Sequence, residues 1–71
     1  MTETVHVGDI YRSNDDGRCF IVSMIVRRGR GFTIHCQHCH EDGTCSPLGW
    51  CEALKKFRSH SLTIVRKAAR A

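Results

Sequence analysis

Arg18-Cys19-Phe20-Ile21-Val22-Ser23-Met24-Ile25-Val26-Arg27-Arg28-Gly29-Arg30-Gly31-Phe32-Thr33-Ile34-His35-Cys36-Gln37 decides the fold. In an extended chain successive side chains point to opposite faces. Phe20, Val22, Met24 and Val26 therefore fall on one face of the first half, and Cys19, Ile21 and Ile25 on the other. Apolar residues on both faces predict a long strand that bends and serves two layers. Arg28-Gly29-Arg30-Gly31 reads as a hairpin tip. Beyond it Phe32, Ile34 and Cys36 alternate with Thr33, His35 and Gln37, the pattern of a strand with one buried face.

The flanks extend this hairpin. Gly8-Asp9 opens a short extended piece, Ile10-Tyr11-Arg12, and Ser13-Asn14-Asp15-Asp16-Gly17 is a turn. Asn and Asp bond back to their own backbone there, and Gly supplies positive φ. Glu41-Asp42-Gly43-Thr44 makes a second turn, followed by a fourth strand to Trp50. Pro47 cannot donate to a ladder, which places that strand at a sheet edge. Trp50, Leu54 and Phe57 share one helical face, giving a short helical turn over residues 50–58. Leu62 and Ile64 mark a last strand, and the end from Ala68 frays. The chain thus reads as mainly β: a five-stranded barrel or a curled antiparallel sheet with one helical turn. Phe20, Val22, Phe32, Ile34, Leu54, Phe57, Leu62 and Ile64 are its expected core.

All 71 residues belong to one domain, with a core over 7–66 and a basic tail at 67–71. A chain this short buries only roughly 60% of its unfolded surface. Its apolar share of 41% still excludes a disordered segment. No apolar run reaches the roughly 18 residues of a membrane span. Met1-Thr2-Glu3-Thr4 is polar and unlike a signal peptide, and five cysteines cannot all pair. These features predict a cytoplasmic protein with reduced thiols and no membrane partner.

This layout resembles the small SH3-like barrels encoded by bacteriophages and mobile elements. The likeness covers roughly residues 7 to 66. It rests on Val7-Gly8-Asp9-Ile10-Tyr11, on the long strand from Arg18, and on Leu54-Lys55-Lys56-Phe57 before a final strand. It implies a docking module for nucleic acid or protein. It also implies an alternative, a phage-encoded inhibitor of a host protein or defence complex, of anti-CRISPR type, at work in the host cytoplasm. The density of cysteines departs from the plain barrel pattern.

Cys36-Gln37-His38-Cys39-His40 and the later Cys45 and Cys51 admit several chemistries. Zinc takes four soft ligands in a tetrahedron. Cys36 and Cys39 have the spacing of a first pair, and Cys45 and Cys51 are candidates for the second, with His38 or His40 as substitutes. Such a zinc would staple a small structural domain. The spacing of the second pair differs from a zinc knuckle, however. A regular strand would also send Cys36 and Cys39 to opposite faces. Cys36 follows Phe32 and Ile34 and equally suits a core position. The stretch also fits the haem-attachment pattern C-x-x-C-H and a thiol redox pair, but the chain lacks the export signal and the longer α/β context these require. So small a chain also has little room for the cleft of a cysteine hydrolase.

The net charge of +4 favours acidic partners. Arg27, Arg28 and Arg30 surround the hairpin glycines. Lys55, Lys56 and Arg58 lie off the apolar helical face, and Arg66, Lys67 and Arg70 follow the last strand. These are candidate contacts to phosphates or acidic side chains. The aromatic residues fit the core except Tyr11, the expected exposed ring, so backbone contact is favoured over base stacking. His6, His35 and His60 stand apart from any cluster and read as surface or satisfied polar residues. The resulting expectation is a non-enzymatic binding module for nucleic acid or for a host complex that handles nucleic acid.

Overall fold

The computed structural model describes residues 5–40, 42 and 44–68. Five strands, β1 (Ile10–Ser13), β2 (Cys19–Arg28), β3 (Gly31–Cys39), β4 (Cys45–Ala53) and β5 (Leu62–Arg66), form one antiparallel sheet in the order β4-β3-β2-β1-β5. Of the two expected forms, the curled antiparallel sheet is the one present. It does not close into a barrel: β4 and β5 are its edges, and Pro47 lies in the edge strand β4. Helix α1 (Leu54–Ser59), the single helix among the described residues, joins β4 to β5. Among the described residues no helix is long and apolar enough to cross a membrane.

The inner face of the sheet carries the core: Tyr11, Phe20, Val22, Ile34 and Cys36, closed by Phe57 of α1. Six helical residues are too few to be stable in isolation, so packing must hold α1. The Phe57 ring, 2% exposed, meets Tyr11 and Phe20 edge-on at centroid distances of 5.6 and 5.9 Å. Leu54 and Leu62 pack partly against this cluster. Trp50 lies in β4 rather than on the helix: its backbone pairs with Cys36, and the helical phase starts only at Leu54.

Two expected core residues, Phe32 and Ile64, are exposed. Tyr11, the ring expected in solvent, is buried instead. The expected face of β2 also changes midway. Val22 pairs with Cys36 and Met24 with His35, so Ser23 is an extra residue, a β-bulge. The side-chain phase flips there. Ile25 packs on the core while Met24 is exposed.

The chain ends meet at Asp9, whose side chain is fully buried. Its carboxylate accepts from the backbone N–H groups of His6 (2.8 Å) and Ala68 (2.8 Å), from the Tyr11 hydroxyl (3.0 Å) and from the Lys67 ammonium (2.6 Å). These donors come from the entry to β1, from β1 itself and from the residues after β5. Gly8 makes the approach possible. Its φ is +98°, and a Cβ there would stand 3.2 Å from that of Ala68. Lys67 and Ala68, placed by the sequence in a basic, fraying tail, are anchored here, while Arg70 falls outside the described residues.

Burial alone pushes the Asp9 carboxyl up. Lys67 and the donors from Ala68, His6 and Tyr11 outweigh it and hold the pKa below the ordinary value of 3.8. A depressed folded pKa stabilises the protein above the unfolded value, and that stability is lost as pH falls through the folded one. Asp9→Asn is therefore expected to cost on the order of 3 kcal/mol at neutral pH. The gap between variant and parent should shrink as pH drops below 3.8, measured by urea unfolding across a pH series.

Candidate functional site

The hairpin tip and the helix, remote in sequence, meet at one end of the sheet. Arg30 of the hairpin turn and Gly31 and Phe32 from the start of β3 face Leu54, Lys55 and Arg58 of α1 across a recess of about 570 Å³. Phe32 has the same parity as Ile34 and Cys36 but lies beyond the cover of Phe57, which leaves it 43% exposed. Arg27 is its direct cross-strand partner, and paired side chains share a face. The bulge at Ser23 brings this about: an unbulged strand would turn Val26 inward and Arg27 away. Arg28 pairs with Gly31 at the tip. Arg30, Lys55 and Arg58 thus line the recess with one exposed ring, Arg27 flanks that ring across the strands, and among the described residues no acid lines the recess.

Among the described residues the exposed acids of the turns lie elsewhere. Asp15 and Asp16 occupy the β1–β2 turn and Asp42 the β3–β4 turn, both at the opposite end of the long hairpin. At about 3.3 Å per residue, the ten residues of β2 separate the two ends by roughly 30 Å. That is some three Debye lengths at moderate salt, so the basic end keeps its own field.

The remaining sequence candidates are not part of this end. Lys56 projects into a second recess of about 380 Å³, lined also by Arg18, His38, Trp50, Glu52 and His60. Glu52 is engaged there, accepting from Trp50 Nε1 at 3.1 Å and lying 2.9 Å from His60 Nε2. His60 is therefore paired rather than isolated. The Glu52 side chain is 8% exposed, and nothing in the local sequence announces that pairing, because α1 separates the two residues. Arg66 pairs with Ile10 on the outer face, and Lys67 holds Asp9.

The zinc set does not assemble. Among the described residues no group of three or more His, Cys, Asp or Glu is placed to hold a metal. Strand alternation is the reason. Cys36 points into the core opposite Val22 and Trp50, while Cys39, Cys45 and Cys51 take the other parity. Burial, with Glu52 and Cys51 nearby, pushes the Cys36 thiol up to about 12, so it remains a neutral core group. His38 lies against the Trp50 ring, with centroids 4.9 Å apart, and His40 is exposed beyond β3. Glu41 and Gly43 of the adjoining turn fall outside the described residues.

Instead, three thiols line up across the outer face: Cys19 pairs with Cys39, and Cys39 with Cys45. The His40 N–H donates to the Thr44 carbonyl, which makes Cys39 and Cys45 a non-hydrogen-bonded pair. Their Cα atoms are then about 4.5 Å apart, inside the range a disulfide spans. Cys39 has its pKa raised by burial and by its neighbours Cys45 and Cys19. Incubation with glutathione disulfide is expected to give one intramolecular Cys39–Cys45 bridge, each bridge releasing two glutathione thiols. Peptide mapping by mass spectrometry checks this, and Cys45→Ser should abolish that bridge.

No known protein family, characterised protein or solved structure matches this chain, so the reading of its function rests on the geometry above.

Proposed function

We propose that this protein is a small non-enzymatic binding module that docks on nucleic acid through the basic end of its sheet. The observation that carries the reading is the convergence of Arg30, Lys55 and Arg58 on one recess without an acid. Arg27, the cross-strand partner of Phe32, extends the same surface, and Arg28 adds its charge at the hairpin tip. Guanidinium forks match phosphate oxygens in geometry as well as charge. A nucleic acid also presents a regular array of charge to a compact cluster, which favours it over a single acidic side chain.

Phosphate contacts release counterions, so affinity should fall steeply with salt. Arg30→Ala with Arg58→Ala is expected to flatten the slope of log affinity against log salt by about 2. Fluorescence anisotropy with a labelled oligonucleotide between low and moderate salt measures this. Arg18→Ala, exposed at the opposite end of the β2–β3 hairpin, should leave the slope unchanged. Retention of one host protein at high salt, with no salt-sensitive binding of any oligonucleotide, would favour the inhibitor reading.

A further inference from the structure

We infer that the recess at the basic end takes an unpaired base, stacked on Phe32, so that the ligand is single-stranded nucleic acid. This rests on the nucleic-acid reading above and narrows it. Large apolar side chains normally leave water when a neighbour can cover them. Phe32 stays 43% exposed within a ring of cations. Its cross-strand partner is Arg27, and Arg30, Lys55 and Arg58 line the same recess. An aromatic face beside guanidinium groups suits a flat, electron-rich base, while the surrounding charges hold the phosphates on either side. Leu54 provides an apolar wall.

A duplex does not satisfy this geometry. Its bases are stacked on one another, and a ring sunk among longer cationic side chains meets only the phosphates. A single strand can splay a base into the recess without breaking a pair. An acidic peptide would use the cations but not the ring. The recess is open at the surface, and its volume of about 570 Å³ leaves room for a base beside bound water.

The experiment compares four ligands by fluorescence anisotropy at one salt concentration. They are oligothymidine of about 12 nucleotides, an abasic strand of equal length, the corresponding duplex and polyglutamate. The intact chain is expected to bind oligothymidine more tightly than the other three. Phe32→Ala and Phe32→Leu should each weaken oligothymidine binding roughly 5- to 150-fold. Phe32→Tyr should restore it, and none of these variants should change abasic-strand binding. Because Phe32→Leu keeps the apolar bulk, its loss separates a need for a flat ring from a need for packing. Unchanged oligothymidine affinity in Phe32→Ala would overturn the stacking site while leaving the phosphate contacts standing. Binding to polyglutamate alone would overturn both.

Discussion

The buried carboxylate of Asp9 is the constraint on which the rest of the structure depends. An ionised carboxylate in an apolar interior is costly unless each lone pair finds a donor. Here the donors are distributed between the two ends of the chain: His6 and Tyr11 on one side, Lys67 and Ala68 on the other. Satisfying the charge therefore forces β5 to finish beside the start of β1. That closure fixes α1, since the helix must span from the β4 edge to the β5 edge over the inner face. Phe57 is carried onto Tyr11 and Phe20 as a result. In a domain with so small a core, one polar anchor of this kind joins what few apolar contacts would hold loosely.

A second constraint acts at Ser23. One extra residue in β2 reverses the side-chain phase, and the Ser23 hydroxyl donates to the His35 carbonyl across the bulge. On one side of the bulge β2 contributes Phe20 and Val22 to the core. On the other it contributes Ile25, and then places Arg27 beside Phe32. The same backbone irregularity thus ends the core and begins the basic recess. Gly49 serves the sheet in a related way. A Cβ there would stand 2.2 Å from the Cys36 carbonyl oxygen, so only glycine permits this approach of β4 to β3.

The two ends of the hairpin divide the charge. The turn carrying Asp15 and Asp16, and the turn carrying Asp42, stand far from the arginine tip. A modest net charge of +4 would describe a weakly basic protein if it were spread evenly. With Asp15, Asp16 and Asp42 at the other end of the long β2–β3 hairpin, the cations around the recess make their own end attractive to anions. The thiols follow a different logic. Strand parity sends Cys36 to the interior and aligns Cys19, Cys39 and Cys45 outside, so chain proximity of the cysteines does not become a shared site.

Local sequence alone determined the strands, the hairpin tip and the edge position of β4. Alternation, glycine turns and Pro47 each act through a few neighbouring residues. It also singled out the arginines of the tip and the lysines of the helix. It could not show that Arg30 meets Lys55 and Arg58, or that Lys56 faces Glu52 and His60 instead. It exchanged the roles of Tyr11 and Phe32, because alternation says which side a ring faces and not what covers that side. Tyr11 is buried because Phe57 reaches it from a distant part of the chain, and Phe32 is open because a recess separates it from α1. The tertiary structure alone decided these matters, since each is a contact between segments whose separation along the chain leaves no trace in the pattern of either.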